Sequence, residues 1–145
     1  MIIGQRELSM LIPHSGAMCL LDSVIEWNES RIRCRSGTHR DPGNPLRRPD
    51  GLHAVCGIEY VSQAMAAHAA LGKTETNRPR KGYLASVRKF DMSLSRLDTI
   101  EEDLDIEAEK VIAEGQRALY VFQISAGGRI LLSGRAAVAF EAAPP

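Results

Sequence analysis

The stretch "GIEYVSQAMAAHAAL", Gly57 to Leu71, limits what this chain can fold into more than any other. Nearly every residue in it is apolar or small, so as a helix it is apolar almost all round. Such a helix has no polar face to offer water and must be enclosed by other elements. It is expected to begin around His53 to Cys56 and to stop near Gly72, a residue type favoured at the C′ position. One residue breaks the pattern. Glu59 is the only acid between Asp50 and Glu75, and an ionised, unpaired carboxylate in a core costs several kcal/mol.

The flanking sequence supplies the enclosure. "LLDSVIEW" (20–27) and "RIRCRSG" (31–37) read as two strands joined by Asn28, Glu29 and Ser30. In the second, Ile32 and Cys34 alternate with Arg31, Arg33 and Arg35, the period of a half-exposed strand. Beyond the helix come four more strand candidates: Tyr83 to Asp91, Asp103 to Ala113, Ala118 to Ser125, and Ile130 to Glu141. The last two meet at Ala126-Gly127-Gly128-Arg129, a strong hairpin signal. In "DLDIEAE", Leu104, Ile106 and Ala108 share one face. "ELSMLIP" suits a short helix ended by Pro13, while "THRDPGNPLRRPDG" and "TETNRPRKG" read as loops. The arrangement this order favours is an α+β fold: a curved antiparallel sheet of five or six strands wrapped around one long buried helix.

Bulk properties narrow the function. A chain of 145 residues is expected to be one domain, with a core large enough to need no disulfides. Its formal net charge of zero gives no general case for nucleic acid or an anionic membrane, and 5% aromatics give few stacking platforms for bases. Cys19, Cys34 and Cys56 are odd in number and form no CxxC pair, which fits a reducing cytoplasm better than a disulfide framework or a zinc site. The first residues lack the apolar core of a signal peptide, and no apolar run approaches the roughly 20 residues that span a bilayer. No cofactor or metal is expected.

Two readings of Glu59 stand side by side. Near a helix start it favours the helix dipole and is partly solvated, which asks for no function. Alternatively it belongs to a site, and its surroundings favour this. Gln63 lies one turn on, on the same face, and a loop carrying His39 leads directly toward the helix.

These residues also carry a resemblance. "IEYVSQAMA" resembles the central-helix motif "(I/L)EAMAQ" of hotdog-fold 3-hydroxyacyl-[acyl carrier protein] dehydratases, with Glu59 on the catalytic acid and Gln63 on the following glutamine. "THRDPGNP" is similar to the family's "GHFPGNP", which puts His39 on the catalytic histidine. "LIPHSGAMCLLDSVIEW" is similar to "LLPHRYPFLLVDRV" upstream. Three departures are plain: the longer "RRPDGLHAVC" before the helix, Arg40-Asp41 after the histidine, and His53-Ala54 where Pro-Gly opens the family's helix. They resemble the subgroup associated with aryl polyene biosynthesis, in which "GIEYxxQAxAAH" is usual.

The chemistry implied is loss of water from a 3-hydroxyacyl thioester, giving a trans-2-enoyl thioester. It needs a base for the α-proton, for which a histidine is suited, and an acid for the departing hydroxide. A carboxyl at the mouth of an apolar helix, kept protonated by desolvation, can be that acid. Backbone N–H groups around Ala54, Val55 and Cys56 are candidate donors to the thioester oxygen, with small side chains that admit a ligand. The resemblance further implies a paired sheet edge and a site that combines His39 of one subunit with Glu59 of another, in a homodimer or with a sibling hotdog subunit. An acyl thioesterase and a non-catalytic partner subunit remain as alternatives. An acidic carrier protein calls for a basic landing area, for which Arg47-Arg48 and Arg78, Arg80 and Lys81 are candidates. His14 and His53 read as structural or loop residues, and His68 as packed or interfacial.

Overall fold

A computed structural model describes residues 3–12, 16–72 and 82–140. The sheet contains seven antiparallel strands: β1 (Ile3–Gly4), β2 (Ser23–Trp27), β3 (Arg31–Ser36), β4 (Gly82–Met92), β5 (Leu104–Glu114), β6 (Arg117–Ala126) and β7 (Arg129–Phe140). Their order across the sheet is β1-β2-β3-β5-β6-β7-β4. The helices are α1 (Gln5–Leu11) and α2 (Gly57–Leu71). This is the expected hotdog arrangement, with one strand more than the sequence suggests. The addition is β1, two residues paired to Val24 and Ser23, too short for any periodicity to reveal.

No residue of α2 is exposed. Tyr60, Val61, Ala64 and Ala67 are almost wholly removed from solvent and join the sheet's inward residues, among them Ile32, Cys34, Leu104, Ile106 and Ile124. The alternations seen in β3 and β5 come together in register: Ile32 faces Ala108 and Cys34 faces Ile106, all inward. On the opposite face Arg33 lies across from Glu107 and Arg35 across from Asp105, so outward charge is matched strand to strand.

The β6–β7 turn has both Gly127 and Gly128 at positive φ (56° and 79°), which explains why two glycines stand there. The end of α2 falls at Gly72, as expected, but with a different geometry. Gly72 donates to the His68 carbonyl at 3.0 Å but keeps a right-handed φ of −82°, so the helix ends without a left-handed glycine. At the start of α2, a 3-10 turn (Ala54–Cys56) runs directly into the helix, close to where the sequence puts the beginning.

Candidate functional site

Three short segments meet at the N-terminal end of α2. The first is a 3-10 turn, Thr38–Arg40, which carries His39 away from β3. The second is the opening of α2 itself. The third is the segment 93–103, which leads from β4 to β5.

Tyr60 ties the first two together. It is fully buried, and its hydroxyl lies 2.8 Å from Thr38 Oγ1 and accepts from Asn44 Nδ2 at 3.0 Å. Thr38 in turn bonds the Leu20 carbonyl, and the Asn44 amide also donates to the Thr38 carbonyl. Burial pushes the Tyr60 phenol above its ordinary pKa, so it stays a neutral hydrogen-bonding group. The residue after Glu59 therefore pins the loop of His39 to the helix.

His39 is completely buried. Its Nε2 lies 2.9 Å from the Ile100 carbonyl, and because a carbonyl only accepts, Nε2 carries the proton. Nδ1 is then the basic atom, and among the described residues it is buried with no hydrogen-bond partner. Burial lowers the histidine's pKa, opposed by the Ile100 and Glu102 backbone and by Asp103, with Arg40 adding to the lowering. The imidazole is thus held neutral, with one lone pair uncommitted.

Glu59 lies in the first turn of α2 and is half-buried, beside Tyr60. Gln63, one turn on, is completely buried: Oε1 accepts from the Leu20 N–H at 2.9 Å and Nε2 donates to the Met18 carbonyl at 2.7 Å. Its amide fastens the segment leading into β2, with both ends engaged in the chain itself.

The expectation of open donors along Ala54, Val55 and Cys56 needs correction. Ala54 donates to the Ser95 carbonyl at 2.9 Å and Cys56 to the His53 carbonyl at 3.0 Å. The cause is the longer stretch before the helix, which pairs with segment 93–103 and closes the turn on itself. Among the described residues only the Val55 N–H of the three is without a backbone acceptor, and its side chain is exposed. Cys56 is half-buried, and burial raises its thiol pKa.

Of the other candidates, His53 pairs with Asp50 at 3.0 Å on the surface, and His68 is packed inside. Arg47 is engaged with Asp98, whereas Arg48 is exposed. His14, Arg78, Arg80 and Lys81 lie outside the described residues. Among the described residues, no group of three or more His, Cys, Asp or Glu is arranged to hold a metal ion and no helix is long and apolar enough to cross a membrane. A hollow of about 390 Å³ lined by Thr99 to Glu102, Ala126, Gly127 and Arg129 borders the Ile100 segment without including Glu59. Tyr60, Asn44 and Asp98 are the residues that sequence reasoning passed over. The first two stand inside quoted motifs, while Asp98 carries no local signal at all.

Solved structures share this architecture at low identity. The dehydratase heterocomplex ApeI:P from Xenorhabdus doucetiae superposes with a TM-score of 0.82 at 22% identity, over 93% of this chain and 91% of that one. A mutant of the thioesterase PA1618 from Pseudomonas aeruginosa gives 0.69 at 11% identity, over 95% and 94%. The PaaI protein of the E. coli phenylacetic acid degradation operon gives 0.63 at 10%, over 93% and 88%. A comparison with curated proteins finds no significant match. The sequence itself matches the family model described as ApeP dehydratase over residues 6–143, a span that contains His39, Tyr60 and Glu59 together, and the chain therefore belongs to the ApeP-like dehydratase family.

Proposed function

We propose that this single-domain chain is a subunit of a cytoplasmic dehydratase acting on 3-hydroxyacyl thioesters, carried on acyl carrier protein or coenzyme A, in fatty acid or polyene-type biosynthesis. One observation carries the reading. A neutral imidazole with an uncommitted Nδ1 stands on a loop that Thr38, Asn44 and Tyr60 fasten to the N-terminal end of α2. In this reading His39 Nδ1 removes the α-proton, the enolate forms at the thioester oxygen beside the Val55 N–H, and Glu59 protonates the departing hydroxyl as water. Gln63 acts by holding the chain around the site.

The base and acid belong to a site completed by a second hotdog subunit, a copy or a sibling. The ApeI:P complex of the Xenorhabdus relative supports such pairing. Full burial of His39 supports a second reading, in which this chain shapes a catalytic partner's channel and does no chemistry itself.

Incubating the chain with 3-hydroxyacyl and with saturated acyl thioesters, alone and with a sibling hotdog subunit, separates the readings. Enoyl product from the chain alone supports the dehydratase. Product that appears only with the sibling and survives Glu59→Gln supports the shaping role, and free acid supports a thioesterase. For the dehydratase, Glu59→Gln keeps the shape but loses the transferable proton, and turnover is expected to fall about 100-fold or more with folding retained.

A further inference from the structure

Arg47 lies in the loop between the His39 turn and α2, and its guanidinium reaches two ways. Nη2 donates to the His39 backbone carbonyl at 3.5 Å, and Nη1 lies 3.6 Å from Asp98 Oδ2. Asp98, with a side chain only 6% exposed, accepts from the Leu52 N–H at 2.9 Å and from Arg96 Nε at 3.1 Å and Nη2 at 2.5 Å. The Arg96 guanidinium holds the Asp98 carboxyl well below the usual carboxylate range.

Asp98 also stands two residues before Ile100, the acceptor of the His39 ring. The turn between them is closed by Ile100 donating to the Leu97 carbonyl, and Leu97 donates to the Leu52 carbonyl at 2.8 Å. His39 is therefore approached from both ends. Its main chain is held by Arg47, its ring by a turn that Asp98 anchors, and Arg47 and Asp98 meet each other.

We propose that Arg47 and Asp98 are positioning residues for His39, a brace that fixes the imidazole with Nε2 toward Ile100 and Nδ1 left without a partner. The planar guanidinium matters because it can serve a carboxylate and a carbonyl at once, whereas a lysine offers a single point of charge. The consequence for turnover rests on the dehydratase reading; the brace itself is read at the ring.

Nitrogen NMR of the chain labelled with ¹⁵N-histidine tests it. The wild type should show His39 as the Nε2–H tautomer. In Arg47→Gln, and separately in Asp98→Asn, the His39 signals should move toward a mixture of tautomers. Its titration midpoint should rise toward the ordinary value as burial loosens, with Arg40 and Asp103 still facing it. His68, held elsewhere by Tyr120 and Asn28, should keep its signals and serves as the control for folding. Arg47→Lys should recover only part of the wild-type pattern. Where the dehydratase reading holds, kcat in Arg47→Gln should fall about tenfold with little change in KM.

A folded Arg47→Gln chain with His39 signals and titration identical to wild type overturns the brace. Should Asp98→Asn fail to fold, Arg47→Gln decides alone, since its side chain is already one-quarter exposed. A wild-type chain inactive on every thioester, alone and with a sibling hotdog subunit, would sink the dehydratase reading and leave the NMR result standing.

Discussion

His68 sits in the last turn of α2, between β6 and the β2–β3 turn. Its Nε2 donates to the Asn28 carbonyl at 2.8 Å, so its Nδ1 is unprotonated and accepts from the Tyr120 hydroxyl at 2.7 Å. Burial lowers the His68 pKa and pushes the Tyr120 phenol up to about 12, which keeps both partners neutral. His39 is lowered for the same leading reason. Below the ordinary histidine value of 6.5 the unfolded chain therefore binds protons that the folded chain resists. The stability contributed by both residues is full above that pH and is lost as pH falls through the lowered folded values. Urea unfolding should show the chain weakening below about pH 6.5. His68→Phe keeps a ring but strands the Tyr120 hydroxyl and the Asn28 carbonyl, and should cost about 2 kcal/mol or more at pH 7.5. That difference should shrink at pH 5, and a gap of constant size would show that His68 does not titrate this way. The candidate site was legible in part at this scale. Glu59, Gln63 and His39 stood out because an acid in an apolar helix and a histidine in a turn-rich loop are local anomalies. Asp98 did not, because an acid in a surface-looking "SRLDT" has no anomaly until Arg47 and Leu52 are brought against it.

Among the elements, β3 and β5 could be read from the alternation that turns Ile32, Cys34, Leu104, Ile106 and Ala108 inward, and α2 from being apolar almost all round. The matching of Arg33 with Glu107 and of Arg35 with Asp105 could not, since it depends on the register of two strands separated by the whole of α2. Closeness of approach is equally invisible in sequence. A Cβ added to Gly57, at the start of α2, would come within 2.1 Å of Leu132 Cδ1 and 3.1 Å of Ile124 Cδ1, both on buried side chains. The glycine is there so that the helix start can press onto β6 and β7. Gly57→Ala would gain up to about 1 kcal/mol of helix propensity. Overpacking of Leu132 and Ile124 should cost about 1–3 kcal/mol, so net destabilisation is expected in thermal or urea unfolding. Unchanged or raised stability would mean that Leu132 moves aside freely and the contact is not a constraint.

At the level of the whole molecule, β4 lies at one end of the sheet with Tyr83, Leu84 and Met92 exposed, which is an edge suited to a second hotdog subunit. A site shared across such a pair makes a prediction that no single-chain site makes. If His39 of one subunit works beside Glu59 of its partner, His39→Ala and Glu59→Gln homodimers should each be nearly inactive. Unfolding the two together and refolding them yields about half hybrids by random pairing, and each hybrid holds one site with both residues intact. Recovery of about one-quarter of wild-type turnover on a 3-hydroxyacyl thioester is the expected outcome, since about half the dimers then carry one working site of two. Refolding each variant alone controls for damage during the procedure. No recovery from hybrids confirmed by mass spectrometry would mean that the two residues act within one chain or that the working partner is a different protein. Full activity in the His39→Ala homodimer would remove the base altogether, and the burial of His39 would then be structural.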